Sequence, residues 1–303
     1  MASLPTTEVV GGTRRRWLEQ FVTGWGRPFI IDVVSLGVVL GVAYGIYQAP
    51  PMGVRTFPIT FAQSGDIVYP QFAYPYRGWL IPAWIMGLVS IGTPILVYAL
   101  AQIQLKSVSV FCAAVTGTTW AVALATLFQI TTKTLVGGLR PYFLDVCQPD
   151  PSRATNFPGA YNKTGLNKVG FQQVMFSIEI CTQPDRHMLK VAMTGFPSGH
   201  STVAFAGFGF LFLWLNAQLK VWADHQPAFW KLVVTMLPLL AAFIFAASLT
   251  INAAHNWYDI VGGSAIGAVM ALVSFRATYA AVLDSKVNHV PLVKSGTSRP
   301  REA

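Results

Sequence analysis

Apolar positions in this chain fall into six long runs, near residues 29–47, 79–102, 108–130, 201–219, 229–248 and 260–283, separated by segments where polar and charged residues collect. About twenty such residues is the length at which an α-helix crosses a hydrocarbon layer of about 30 Å. In lipid only helices and closed barrels satisfy their own backbone groups. The pattern therefore predicts an all-α, polytopic membrane protein built as a six-transmembrane helix bundle. Pro82 and Pro94 in the second run and Pro238 in the fifth are tolerable there, because neighbouring helices and hydroxyl side chains satisfy the backbone groups they free.

The cations set an orientation. Arg14, Arg15 and Arg16 precede the first run, Lys106 and Lys220 sit in the short joints near 103–107 and 220–228, and Lys286, Lys294, Arg299 and Arg301 follow the last run. By the positive-inside rule these segments are expected in the cytoplasm. With an even number of spans, segments 48–78, 131–200 and 249–259 then share the opposite face. One membrane domain over 29–283 is expected, with a cytoplasmic N-terminal segment (1–28), a long non-cytoplasmic loop (about 131–200) and a cytoplasmic tail (284–303). The run at 29–47 is expected to stay in place as the first span, since no small-residue cleavage site clearly follows it.

Composition agrees. The 303 residues are 53% hydrophobic and 11% charged, with a mean hydropathy of +0.49, outside the balance of soluble domains. The net charge of +9 comes largely from cations flanking apolar runs, which points to membrane anchoring and away from a nucleic-acid partner. In the long loop, Cys147 and Cys181 either pair as a disulfide or stand as free thiols, and Asn162-Lys163-Thr164 forms a glycosylation sequon. Both features suit a non-cytoplasmic compartment. An endomembrane with a lumenal site (endoplasmic reticulum, Golgi or vacuole) is the first expectation and the plasma membrane the second.

Three polar clusters fall on that one face, each at the end of an apolar run. Lys133, Arg140 and Pro141 follow the third, with Gly137 and Gly138 allowing a bend that brings both cations to one anion. Arginine offers a planar fork matched to phosphate oxygens, and lysine a mobile point charge. Pro197-Ser198-Gly199-His200 opens the fourth run, placing free backbone N–H groups, the positive end of a helix dipole and a hydroxyl where phosphate oxygens can sit. His255 and Asp259 are four residues apart beside Ser248. On one helix face, Asp259 would fix the tautomer of His255 and leave its other nitrogen free to attack phosphorus. Each cluster alone also has a plain reading, as interfacial cations, an N-cap or a surface ion pair.

Together the clusters resemble the signature of the type 2 phosphatidic acid phosphatase superfamily, which reads Lys-x₆-Arg-Pro, Pro-Ser-Gly-His and Ser-Arg-x₅-His-x₃-Asp. The resemblance covers roughly residues 30–280. It implies a metal-independent lipid phosphate phosphatase, without cofactor, acting on phosphomonoester or diphosphate lipids of the phosphatidic acid and diacylglycerol diphosphate class. His255 would be the nucleophile and Asp259 its orienting acid. His200 would protonate the leaving group and then activate water. Lys133, Arg140, Ser198 and the Gly199 amide would hold the phosphate, supported by Pro141, Pro197 and Ser248.

The chain departs from the signature at Leu249, where the pattern has a second arginine, and three readings follow. The enzyme is active but weaker or differently selective, or a diphosphate is held with help from a loop cation such as Lys190, or hydrolysis is lost. The alternatives to a lipid phosphatase are an isoprenoid diphosphate phosphatase or diphosphate-gripping cyclase, and a noncatalytic lipid-phosphate binding protein. Tyr69, Tyr74, Tyr76 and Trp79, with Trp120, Trp214, Trp222, Trp230 and Trp257, read as interfacial aromatics. Trp257 and Tyr258 are expected to shape the entrance for an apolar substrate chain.

Overall fold

The computed structural model describes residues 30–52, 56–59, 64, 66–67, 72–154 and 175–293. Arg14 to Arg16, Tyr69, the sequon at Asn162, Lys294, Arg299 and Arg301 lie outside them. Among the described residues, six helices are long and apolar enough to cross a membrane, as the apolar runs predict: α1 (Ile30–Gln48), α2 (Ala83–Leu105), α3 (Val108–Val136), and, beyond the short helices α4 (Phe143–Cys147) and α5 (Arg186–Ala192), α6 (Gly199–Leu219), α7 (Phe229–Ile251) and α8 (Trp257–Thr278).

Two boundaries differ from expectation in ways that matter. α3 runs six residues past 130, so Lys133 lies in its last turn and does not follow it. Thr131 and Thr134 continue the helix, their hydroxyls bonded to the carbonyls of Leu127 and Ile130 one turn back. The last span begins at Trp257 and ends at Thr278, short of 283. Beyond it the chain folds back, Tyr279 bridging to Pro291 and the Leu292 amide donating to the Thr278 carbonyl.

α6 is the axis of the bundle. Most of its residues are buried, and α8, α7, α3 and α2 all pack on it, while α1 at the rim is almost wholly exposed. Lipid supplies no hydrophobic drive between helices, so association rests on close packing of small residues. A Cβ on Gly263 of α8 would lie 2.4 Å from the Ser198 carbonyl oxygen at the head of α6, and one on Gly267 would lie 2.3 Å from the Thr202 oxygen. Because backbone cannot yield as a side chain does, Gly263→Ala is expected to lower stability by about 1–3 kcal/mol, seen as a lower melting temperature in detergent. Trp214 belongs to this core and not to an interfacial belt: it is 1% exposed and packs tilted against Tyr98 with ring centroids 4.7 Å apart.

The two ends of the bundle are built differently. At one, Lys220 ties the end of α6 to the returning tail through the Ser285 carbonyl, Asn288 and His289. At the other, the long loop and the segment between α1 and α2 form a cap with its own apolar core, in which Phe57, Tyr142, Phe143, Val146, Ile180, Leu189 and Met193 pack together. Its framework is α4, α5 and an antiparallel ribbon of β1 (Phe57–Pro58) and β2 (Met175–Phe176). A disulfide between Cys147 and Cys181 closes a loop of 34 residues. All three polar clusters lie at the capped end.

Candidate functional site

Lys133 reaches from the last turn of α3 to the carbonyls of Thr194 (2.8 Å) and Gly195 (3.4 Å). Gly137 and Gly138 follow at φ +65° and +121°, a region open mainly to glycine, and turn the chain so that Arg140 points back over the bundle. The turn is pinned by backbone bonds from Gly195 and Phe196 to the carbonyls of Gly138 and Gly137. Arg140 is 4% exposed. Its Nε donates to the Val191 carbonyl (2.8 Å), and Nη1 donates to the Ala254 carbonyl (2.8 Å) and to Nε2 of His255 (2.9 Å). The two sequence-predicted cations therefore converge, each anchored by backbone carbonyls.

Ser198 caps α6, its hydroxyl accepting from the Ser201 amide and its own amide donating to the Asp259 carbonyl (2.9 Å). The head of α6 is thereby joined to the head of α8. His200 stands in the first turn of α6, and its Nε2–H donates to the Ile81 carbonyl (2.8 Å). That carbonyl is available because Ile81 precedes Pro82, the N-cap of α2, and takes no part in the helix.

His255 does not share a helix with Asp259, as the four-residue spacing suggested. α8 begins only at Trp257, and Asn256 is its N-cap. Asp259 sits at the third helical position, where Oδ2 accepts from the Asn256 amide (2.9 Å), from Asn256 Nδ2 (3.2 Å) and from His255 Nδ1 (3.4 Å). The pair meets through a capping box. Because Arg140 can only donate, His255 Nε2 accepts, which fixes the proton on Nδ1 and the lone pair on Nε2. Burial first, then the charges of Arg140 and Lys133, hold the pKa of His255 well below the usual imidazole value. A neutral imidazole with its lone pair beside a guanidinium is the state a nucleophile requires.

Several expected residues stand elsewhere. Ser248 donates to the Phe245 carbonyl of its own helix (2.8 Å) and brings no group to the cluster. Leu249 is buried on the face of α7 that also buries Thr235, Pro238, Ala242 and Ala246, and its carbonyl accepts from the Ala254 amide beside His255. Lys190 is bound by the carbonyl and ring of Tyr47. Pro141 lines a cleft of about 240 Å³ that reaches His255, with Phe72, Tyr74, Thr250, Ala253 and Asn256. Trp257 and Tyr258 stand outside that lining, Trp257 with 72% of its surface exposed.

The sequence reading missed three participants. Asn256 also donates to the Leu139 carbonyl (3.0 Å), binding the arginine loop to α8. Its signal was Asn-x-x-Asp ahead of an apolar run. Gln129, one turn before Lys133, donates to the Pro197 carbonyl (3.3 Å), and a glutamine four residues from a lysine in an apolar span was the signal. Trp79 stacks on His200, with ring centroids 5.3 Å apart and planes at 18°, and carries the Arg140 guanidinium 4.8 Å from its ring centre.

The Arg140 fork is what a lysine cannot reproduce, since one ammonium cannot span three acceptors in a plane. Arg140→Lys is expected to lower kcat/KM for a phosphorylated substrate by about 10²–10³-fold, measured on protein that elutes as a folded species.

The chain is 32% identical to diacylglycerol pyrophosphate phosphatase 1 of Saccharomyces cerevisiae over 152 residues, 50% of this chain and 47% of that protein. It is 28% identical to lipid phosphate phosphatase 2 of Arabidopsis thaliana over 207 residues, 68% and 65% of the two chains. It is also 28% identical to a PA-phosphatase related-family protein of Dictyostelium discoideum over 223 residues, 73% and 63%. It thus spans about half to two thirds of the length of these relatives. No solved structure matches it. The family model described as PAP2 superfamily matches residues 114–282, taking in Lys133, Arg140, His200, His255 and Asp259, and with more than half of its length matched the chain belongs to the PAP2 superfamily.

Proposed function

We propose that this protein is a lipid phosphate phosphatase that hydrolyses phosphomonoester or diphosphate lipids through a phosphohistidine, with its site on the non-cytoplasmic face of the membrane. The observation that carries the reading is His255, neutral, with Nδ1 on Asp259 and Nε2 beside Arg140. Relatives named for lipid phosphate and diacylglycerol pyrophosphate support the substrate class. The cations at the opposite end, Lys106, Lys220 and Lys286, support the orientation, and the disulfide-bonded cap at the site's own end supports a lumenal or extracellular compartment.

In this reading the substrate phosphate approaches along the cleft and takes over Arg140 Nη1 from His255. His255 Nε2 then attacks phosphorus, the bond to the lipid oxygen breaks, and His200 gives that oxygen a proton. Nε2–H of His200 is held by Ile81, which leaves Nδ1 as the nitrogen that carries the transferred proton. In the second half His200 takes a proton from water, the resulting hydroxide attacks phosphorus, and the N–P bond breaks to return His255 with its lone pair. Lys133, Arg140, Ser198 and the Gly199 amide hold the non-bridging oxygens, where fixed donors act most strongly on the charge of the transition state. Asp259 balances the positive charge that His255 carries as a phosphoimidazole.

Phosphate release from a panel of phosphatidic acid, diacylglycerol diphosphate, lysophosphatidic acid, a sphingoid phosphate and a polyprenyl diphosphate, by purified protein in detergent with chelator, tests the reading. Release from at least one lipid is expected, and none from any would overturn it. Leu249→Arg belongs in the same assay. Position 249 lies on the buried face of α7, one tight turn from His255, and a donor aimed at a transferring phosphoryl group is worth about 10²–10³ in rate. A gain of at least about tenfold on a monophosphate lipid is expected. An unchanged or lower rate would show that this site does not lack a third cation.

A further inference from the structure

The matched family region begins at residue 114, yet the site is completed from outside it. The segment leading into α2 supplies two groups that touch His200: the Ile81 carbonyl, bonded to Nε2, and the half-buried Trp79 indole, stacked on the ring. The same indole carries the Arg140 guanidinium. Its neighbours behave differently. Leu80 and Trp84 are 59% and 68% exposed on the outer surface, as interfacial residues are. Trp79 turns the other way, into the cluster.

We propose that Trp79 is a positioning residue for phosphoryl transfer, one rigid plane that fixes the imidazole of His200 and the guanidinium of Arg140 relative to each other. The proposal rests on the phosphatase reading above. Each partner needs such a plane for its own reason. Among the described residues His200 is held by one hydrogen bond, to Ile81, about which its ring can still rock. A stacked indole removes that freedom. Arg140 must release Nη1 from His255 to phosphate while keeping its position, and a face-on indole attracts the guanidinium without occupying any N–H. The leaving-group oxygen and the non-bridging oxygens belong to the same phosphate, so the separation of the two groups must be held to within a fraction of an ångström. A displacement of about 1 Å in such a constellation costs on the order of 10²-fold in rate.

The test uses the full chain in detergent with Trp79→Leu and Trp79→Phe, and with His255→Ala as the control for the phosphatase reading. Dioleoyl phosphatidic acid and p-nitrophenyl phosphate serve as substrates. Trp79→Leu is expected to lower kcat on phosphatidic acid by about 30–100-fold with KM within about threefold. The loss on p-nitrophenyl phosphate should be clearly smaller, because nitrophenolate leaves without a proton and depends less on His200. Trp79→Phe keeps a flat aromatic face and is expected to recover most of the rate. Should Trp79→Leu fail to fold, as judged by its melting temperature, Trp79→Met carries the same comparison. The proposal is overturned if the aliphatic variant matches the parent in kcat, if both substrates slow equally, or if phenylalanine restores nothing. If His255→Ala keeps full activity, the phosphohistidine mechanism on which this proposal rests falls, and the proposal with it. An inactive His255→Ala beside a fully active Trp79→Leu removes only the role of Trp79.

Discussion

His255→Ala is expected to abolish phosphate release, lowering kcat at least about 10⁴-fold, the scale on which removal of a covalent nucleophile acts when the rest of a site is left standing. The rest of this site should stand. Arg140 keeps the Val191 and Ala254 carbonyls, and Asp259 keeps both donors of Asn256. The substitution removes one of the two acceptors of Arg140 Nη1, the one that phosphate displaces in this reading. Substrate affinity is therefore expected to hold or to rise while turnover stops. A variant that binds a fluorescent phosphatidic acid as well as the parent and releases nothing from it meets both halves of the prediction. Residual turnover within about a hundredfold of the parent would mean that another group attacks phosphorus.

The second large effect is expected of Asp259→Asn, which keeps the shape and removes the charge. Oδ2 accepts three hydrogen bonds, from His255 Nδ1 and from two donors of Asn256. An amide oxygen in that place still accepts, but the positive charge on a phosphorylated imidazole then has no counter-charge. An amide nitrogen in that place faces three donors, and His255 must turn or change tautomer. By either route kcat is expected to fall about 10³–10⁴-fold, as when the carboxylate orienting a catalytic histidine is made neutral. The capping box weakens with it, so melting temperature should be read alongside. A loss of under about tenfold in folded protein would reduce Asp259 to a helix cap.

What could be read from the sequence divides along physical lines. The six spans were legible because burial in lipid demands about twenty apolar residues each time, and the polar clusters because ionisable side chains within membrane-spanning helices, such as Lys133, His200 and Asp259, are rare and expensive. Less visible was how the clusters are held. The spacing of His255 and Asp259 pointed to one helix face, whereas the chain uses Asn256 to start the helix between them, through a capping box with Asp259 and a hydrogen bond to the Leu139 carbonyl 117 residues away. Trp79 was read as a belt residue because sequence cannot say which side of a span an aromatic turns to. Its partners, His200 and Arg140, lie 121 and 61 positions further along the chain. Lys190 looked free for a second phosphate until α1 was placed beside it with the Tyr47 carbonyl.

The covalent intermediate itself offers the most direct test. Protein mixed briefly with a lipid phosphate carrying labelled phosphorus, quenched in alkali where phosphohistidine survives and then digested, should carry the label on the peptide containing His255, with none in the same peptide of His255→Ala. Steady turnover with no label on His255, or label on another residue, would contradict the account.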